Sequence, residues 1–161
     1  LALRAGHNAG AALPDLPLVL AAIGDPAGVQ LGSAIFARKP GDGSAREQAA
    51  SCQRVLGALA NFANEYATRR YRSNLINWGI IPFIIDGAPP FENGDYVYID
   101  KVRDLVDGAA REALVITSDG TARGSFTLAA PLLNETERRL LRAGSLINLN
   151  NLNRLSLGGK R

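Results

Sequence analysis

The hydrophobic positions of the chain fall into short apolar runs that are separated by segments with helical spacing. In the first two thirds of the chain, runs of this kind bounded by turn residues predict β-strands. They cover residues 31–38, 58–63, 80–85 and 96–99. Pro82 lies inside the third run and has no N–H to donate, so we expect that strand near an edge or an end of its sheet.

Two helices are predicted between these strands. Ser44 and Glu47 have the spacing of a capping box, in which each side chain binds a backbone N–H of the first turn, and the helix that they open covers about residues 44–56. Residues 67–78 carry apolar side chains at helical spacing. Gly79 follows them and is a natural C-cap.

The last third of the chain predicts a hairpin and a terminal helix. Residues 112–117 and 123–128 flank a short connection that contains Asp-Gly, which is a strong hairpin signal. Asn134 and Glu137 have the spacing of a second capping box, and Gly144 closes the helix that they open.

The order of these elements predicts the fold class. It indicates an α/β domain in which a mixed sheet is flanked by helices, with parallel pairing through helical crossovers in the first half. A β meander and the terminal helix follow. Residues 1–28 are rich in Ala, Gly and Pro without a clean period, and we expect a loop that can include a short helix.

Length and composition predict one ordinary globular domain. The chain has 161 residues, 47% of them hydrophobic, and its formal charge of +3 is too small to indicate nucleic acid or membrane binding. One cysteine, Cys52, and one histidine, His7, cannot supply the soft ligands of an iron–sulfur cluster or a structural zinc, so we expect no metal site in this chain. The lone thiol suits a reducing compartment and is expected to be buried and inert.

The sequence predicts a cytoplasmic chain without a targeting segment. Residues 11–23 are the most apolar stretch near the start of the chain. Two prolines and an aspartate interrupt this stretch, and it is too short to span a membrane.

Gly41, Gly43, Ser44 and Arg46 form the strongest candidate for chemistry. They lie between a predicted strand and a predicted helix N-terminus, where backbone N–H groups and the helix dipole favour anions. Arg46 adds a cation that can bind a carboxylate through two hydrogen bonds. Ser44 either only caps the helix, as most serines in this position do, or reacts as an alkoxide stabilised by these groups. The local pattern leaves both readings open.

Three blocks of the chain resemble one family. Residues 41–50, Gly-Asp-Gly-Ser-Ala-Arg-Glu-Gln-Ala-Ala, are similar to the Gly-x-Gly-Ser-Ser-Arg-Glu-His-Ala signature of the aconitase superfamily, which includes isopropylmalate isomerase. Residues 71–83 resemble the family's next helix, and residues 133–137 with 142–148 resemble its C-terminus. The blocks occur in the family's order with similar spacing, so the chain is identified as a member by resemblance.

The resemblance implies a site that this chain supplies only in part. The family's C-terminal domain is a swivelling β/β/α unit that closes over three larger domains, whose cysteines hold a 4Fe–4S cluster. By resemblance Ser44 is the catalytic base and Arg46 binds substrate and oxyanion. Gly43 and Ala45 are substrate contacts, although the family has a serine where this chain has Ala45. Arg4 stands in a segment similar to the family's Phe-Arg-Gly-His and would bind a carboxylate.

The implied function is the reversible dehydration and hydration of a hydroxy di- or tricarboxylic acid. We expect residues 1–30 to be the remnant of an upstream segment, residues 31–155 the swivel domain and residues 156–161 a tail. The chain lacks a methionine, and the family's Asp-x-x-Ser-Thr-Asp-His stretch is missing upstream, which favours a fragment of a longer polypeptide. The cluster-binding domains would belong to the same polypeptide or to a separate large subunit. Without them we expect the chain to be inactive.

Two alternatives stay open. One is a separate small subunit of an isopropylmalate-isomerase type enzyme. The other is a non-catalytic module that binds RNA or a metabolite, with Arg69, Arg70 and Arg72 at phosphates and Tyr66 and Tyr71 against bases. The tyrosines also fall on or near the apolar stripe, which favours core tyrosines beside a solvated arginine face, so nucleic acid is not the expected partner.

Overall fold

The computed structural model describes residues 13–24, 27–129 and 131–158, with side chains up to residue 155. Its helices are α1 (Leu16–Ile23), α2 (Arg46–Val55), α3 (Arg69–Asn77), α4 (Val102–Val106), α5 (Glu135–Ala143) and α6 (Leu146–Gly158). Its strands are β1 (Ser33–Ala37), β2 (Ala58–Ala63), β3 (Ile81–Ile84), β4 (Tyr96–Ile99), β5 (Arg111–Ile116) and β6 (Ala122–Leu128). Within these ranges, no helix combines the length and the apolar character that a bilayer crossing needs.

The first half of the domain is a parallel sheet. Strands β1, β2 and β3 lie in that order, and α2 and α3 are the crossover connections between them. Phe36, Phe62 and Phe83 stand side by side across the three strands. The predicted parallel pairing is confirmed, and so is the edge position of Pro82, because β3 pairs with β2 alone among the strands that the structure describes.

The second half is an antiparallel sheet in the order β4-β5-β6. The predicted hairpin joins β5 to β6: the N–H of Thr117 donates to the carbonyl of Thr121 over 2.9 Å, and Gly120 turns the chain with a φ of +83°. A positive φ of this size is accessible to glycine at little cost. The Asp-Gly signal therefore identified the turn correctly, and the predicted α/β class is confirmed.

An aromatic core joins the two sheets. The rings of Phe62 and Phe83 stack with centroids 5.2 Å apart, and the ring of Phe91 lies 5.2 Å from that of Phe62. Leu105 and Leu128 close this core from the side of the antiparallel sheet. Burial of these rings is a large favourable term, since each phenylalanine removes on the order of 150–250 Å² from water.

The described part of the N-terminal segment packs against the antiparallel sheet. Val19 of α1 is buried, and the hydroxyl of Tyr96 donates to Asp15 over 2.9 Å. Burial, together with this hydrogen bond to a carboxylate, raises the pKa of Tyr96 to about 12. The backbone of Leu18 lies close to Gly120: a Cβ added at Gly120 would lie 2.9 Å from the carbonyl oxygen of Leu18.

Two predictions about α2 are wrong. The helix begins at Arg46 with Ala45 as its N-cap, and no side chain caps it, so Ser44 and Glu47 do not form a capping box. The same spacing does form a complete box at Asn134 and Glu137. Cys52 is exposed rather than buried, because it lies on the face of α2 turned away from the sheet.

Helices α4 and α6 were not predicted from the sequence. Helix α4 has 5 residues, too few to show a period. In α6 the leucines are spread around the helix: Leu149 packs against the core, whereas Leu152 and Leu155 are exposed. Weak amphipathicity of this kind gives no helical pattern in the sequence.

Candidate active site

The loop between β1 and α2 lies at the carboxyl end of the parallel sheet, the edge where α/β proteins bind their ligands. The start of this loop is anchored. The N–H of Ala67 donates to the carbonyl of Pro40, and the hydroxyl of Thr68 donates to the carbonyl of Gly41, each over 2.9 Å. Gly41 has a φ of +96° and lies against the ring of Tyr71, so this position requires a glycine.

The tip of the loop, by contrast, projects from the protein. Asp42, Gly43, Ser44 and Ala45 are all exposed. Within the described ranges, the hydroxyl of Ser44 has no hydrogen-bond partner, and a Cβ at Gly43 would meet open space. The serine predicted as catalytic base is therefore accessible and is not occupied with capping α2.

Arg46 is the first residue of α2 and folds back over the tip. Its Nε donates to the carbonyl of Gly43 over 2.8 Å, and the side chain is half-buried. The terminal nitrogens of the guanidinium have no partner among the described residues. Together with the unpaired N–H groups of the α2 N-terminus, they leave a positive region next to Ser44 that suits a carboxylate.

The first turn of α2 is attached to α3 by one side-chain contact. The carboxylate of Glu47 accepts a 2.6 Å hydrogen bond from Nε1 of Trp78, which caps the end of α3. Both residues line a cleft of about 260 Å³, whose opposite wall is residues 144–148. Ser44 and Arg46 are not among the residues that line this cleft. No pattern along the chain predicted this contact.

A buried polar network supports the loop from below. The side-chain amide of Asn61, on β2, is fully buried and donates to Gln53 of α2 over 3.0 Å. Gln53 in turn donates to the hydroxyl of Tyr71 over 2.6 Å. The hydroxyl of Tyr66 donates to the backbone carbonyl of Asn61 over 2.9 Å. Burial raises the pKa of Tyr66 far above its usual value, and the neighbouring Tyr71 raises it further. The network keeps α2, α3 and β2 in one arrangement.

The three blocks that resemble the family meet around α3. Arg72 of the second block forms a 2.8 Å ion pair with Glu137 of the third. Gly79 lies so close to Gly144 that any Cβ there would overlap the Gly144 carbonyl. Blocks far apart in sequence therefore form one contiguous unit around α3.

The structure also bears on the remaining candidate residues. Tyr71 is 2% exposed and packs in the core, whereas Arg69 and Arg70 are exposed. Core tyrosines beside arginines were predicted, although Arg72 is paired rather than solvated. Arg4 and His7 lie outside the described residues, so the structure does not place the predicted carboxylate contact of Arg4.

The residues present do not fit an iron–sulfur cluster. The described ranges contain no group of three or more His, Cys, Asp or Glu side chains that could hold a metal ion. The whole chain has one cysteine, whereas the clusters of this family are held by three. An iron–sulfur cluster would therefore have to be held by residues outside this chain.

The chain is similar to two curated small subunits. It is 35% identical over 108 residues to the methanogen homoaconitase small subunit of Methanocaldococcus jannaschii, covering 67% of this chain and 55% of that protein. It is 40% identical over 70 residues to the homoaconitase small subunit of Thermus thermophilus, covering 41% of this chain and 40% of that protein. The chain thus spans about half the length of the curated relatives it matches. No profile of a known protein family matches it. With its α/β fold and its three converging blocks, the chain belongs to the aconitase and isopropylmalate isomerase superfamily, as its motifs predicted.

Proposed function

We propose that this chain is the base-bearing half of an aconitase-like hydro-lyase, the part that corresponds to the small subunit or C-terminal swivel domain. The observation that carries the proposal is the state of Ser44. Its hydroxyl is exposed and makes no capping bond, and it lies just before the N-terminus of α2, where the outer guanidinium nitrogens of Arg46 have no partner among the described residues. Ala45 is the N-cap of α2, so a capping role does not account for a serine at residue 44.

Ser44 is the proton acceptor in the proposed reaction. Its alkoxide oxygen takes a proton from the carbon next to a substrate carboxylate. The electron pair left on that carbon forms the double bond, and the C–O bond of the neighbouring carbon breaks so that the hydroxyl group leaves as hydroxide, which becomes water on protonation. In the reverse direction Ser44 returns the proton. Serine is a weak base in water, so the neighbouring guanidinium and backbone N–H groups must stabilise its alkoxide once water is excluded.

Arg46 and the loop backbone bind the substrate. The free guanidinium nitrogens of Arg46 form two hydrogen bonds with a carboxylate. Exposed backbone at Gly43 and Ala45 lets the substrate approach closely, since Gly43 has open space where a side chain would stand. Arg4 is proposed to bind a distal carboxylate. Ala45 lacks the hydroxyl that the family presents there, so the backbone N–H groups must replace that contact.

The proposed site is completed by a partner. The Ser44 tip is exposed, and it does not line either of two clefts of about 260 and 230 Å³ in the described part of the chain. A second chain or domain must therefore cover the tip, exclude water and hold the 4Fe–4S cluster, which supplies Lewis-acid chemistry when bound. The relatives are named small subunits, which favours a separate large subunit over a fragment. Residues 31–155 would be the swivel domain, and the assembly would be cytoplasmic.

Binding of RNA is the weaker candidate. Stacking on bases needs accessible rings, whereas Tyr71 is buried and the hydroxyl of Tyr66 is bonded within the protein. Arg72 is held in an ion pair with Glu137. Only Arg69 and Arg70 remain as exposed cations of this helix, too few to form a binding surface by themselves.

The test replaces Ser44 in the enzyme assembled with its cluster-bearing partner. We expect Ser44→Ala to lower kcat at least about a hundredfold, the contribution of a positioned general base. The melting temperature should not change, because Ser44 makes no hydrogen bond in the described part of the chain. Ser118→Ala in the exposed hairpin turn is the control and should leave kcat unchanged. Turnover by Ser44→Ala close to that of the unchanged enzyme would remove Ser44 from the reaction.

A further inference from the structure

Glu47 places a negative charge in the first turn of the helix that carries the proposed site. It lies one residue after Arg46 and three after Ser44. A carboxylate in the first turn of a helix is attracted by the unpaired backbone N–H groups of that turn and can lie over them. In that position it would occupy a backbone donor of the site and repel an anionic substrate.

The same chain shows such a position in use. Asn134 and Glu137, with identical spacing, form a complete capping box in which the Glu137 carboxylate accepts the N–H of Asn134 over 2.9 Å. Glu47 makes no such bond: α2 begins at Arg46 with Ala45 as its N-cap, so Glu47 is the second helical residue, whereas Glu137 is the third of its helix. Its carboxylate instead accepts the indole N–H of Trp78 over 2.6 Å.

Trp78 draws Glu47 towards a different part of the surface. The two residues line the cleft whose far wall is Gly144, Ser145 and the first residues of α6. Ser44 and Arg46 do not contribute to that cleft. Next to Trp78, Gly79 approaches Gly144 so closely that a Cβ at Gly79 would overlap the Gly144 carbonyl.

From these contacts we infer that Trp78 is a positioning residue that holds the Glu47 carboxylate out of the anion site at the start of α2. Its indole N–H keeps the carboxylate away from the N–H groups next to Ser44, and these donors stay available to a substrate carboxylate. Trp78 acts through Glu47 and does not touch the substrate. This inference rests on the proposed function of the loop as a carboxylate site.

The test is a cycle of variants in the enzyme assembled with its cluster-bearing partner. Trp78→Phe removes the donor and frees the Glu47 charge, so KM for the carboxylate substrate should rise about tenfold, with a smaller change in kcat. Trp78→Phe combined with Glu47→Ala removes the freed charge, and KM should return to within about threefold of the original value. A merely structural role of the contact predicts the opposite, because the double variant would then be at least as impaired as the single one.

A second variant keeps the test open if Trp78→Phe does not fold. Glu47→Asp retains the charge and the indole but is one methylene too short to reach Nε1, so KM should rise here as well. Glu135→Asp, at an exposed acid in the first turn of α5, is the matched control and should leave KM unchanged.

Trp78 is the chain's single tryptophan, so a 5-fluorotryptophan label reports on it alone in the isolated chain. Its ¹⁹F signal should shift in Glu47→Ala.

The outcomes separate this inference from the proposed function. An unchanged ¹⁹F signal in Glu47→Ala, or an unchanged KM in both Trp78→Phe and Glu47→Asp, overturns the role of Trp78. If Ser44→Ala abolishes turnover in the same assay, the proposed function stands while the inference fails. If Ser44→Ala is fully active, the proposed function fails, whatever KM values the Trp78 variants show.

Discussion

The Nε of Arg46 donates a 2.8 Å hydrogen bond to the carbonyl of Gly43, three residues earlier, and so closes the loop tip around Ser44. This bond uses the inner nitrogen of the guanidinium and leaves the two outer ones for a ligand. Arg46 can therefore shape the loop and bind a carboxylate at the same time.

Replacement of Arg46 by lysine tests whether the hydrogen bonds of the guanidinium are needed in addition to its positive charge. Lysine keeps the positive charge but has one ammonium, which cannot hold the Gly43 carbonyl and grip a carboxylate in a fork. We expect Arg46→Lys to raise KM about tenfold or more and Arg46→Gln to raise it further. Steady-state kinetics of the assembled enzyme measure both, and Arg70→Lys on exposed surface is the control. Equal KM values for Arg46→Lys and the unchanged enzyme would exclude a bidentate contact.

Two glycines of the loop should respond differently to alanine. At Gly41 the φ of +96° and the ring of Tyr71, 2.5 Å from an added Cβ, oppose any side chain. Gly41→Ala should therefore lower the free energy of unfolding by about 2–4 kcal/mol. Gly43 has a permitted φ and open space, so Gly43→Ala should leave stability unchanged but lower kcat/KM, because the methyl group would obstruct the substrate. Urea denaturation of both variants tests the contrast. Equal loss of stability would contradict it.

Stability should fall at alkaline pH through Tyr66. Burial raises the pKa of Tyr66 in the folded protein, whereas in the unfolded chain it ionises near its usual value of about 10. Above that pH the unfolded state releases this proton first, so unfolding is favoured increasingly as pH rises. Below it, the contribution is complete. The free energy of unfolding, measured by urea at several pH values, should fall less steeply above pH 10 in Tyr66→Phe. Identical slopes would place the alkaline transition in other groups.

The ion pair of Arg72 with Glu137 should matter more than that of Lys39 with Glu65. The first pair is largely shielded, with side chains 24% and 17% exposed, whereas the second is 60% and 59% exposed. We expect Arg72→Met to cost about 1.5–3 kcal/mol, the range for a charged hydrogen bond, and Lys39→Met less than about 1 kcal/mol. Denaturation at low and high salt measures both. A loss in Arg72→Met that disappears in high salt would contradict the shielded position.

Most of the fold could be read from local patterns. Strand β2 and strand β4 match their predicted bounds, and the Asn134–Glu137 box and the Asp-Gly turn form as expected. These features depend on backbone preferences within a few residues. The bounds of β1 and β3 were less accurate, since the ends of strands depend on which neighbour continues to pair.

The fate of Ser44 could not be read in this way. Its spacing to Glu47 matches that of Asn134 to Glu137, yet only the second pair forms a capping box. The difference lies in where each helix begins: Asn134 is the N-cap of α5, whereas Ala45 is the N-cap of α2, and the Glu47 carboxylate accepts from Trp78, 31 residues away in sequence. A local motif states which hydrogen bonds are possible, and the folded chain decides which one forms.

The sequence by itself determined the α/β class, the order of the elements and the family, whose motif includes Ser44 and Arg46. These follow from periodicity, turn residues and motifs along the chain. Only the tertiary structure decided that the Ser44 hydroxyl has no partner in the described part of the chain, that Glu47 is bonded to Trp78 and that Cys52 is exposed. These are outcomes of competition between groups that are distant in sequence. The free energies of the competing contacts depend on burial and distance, which exist only once the chain has folded.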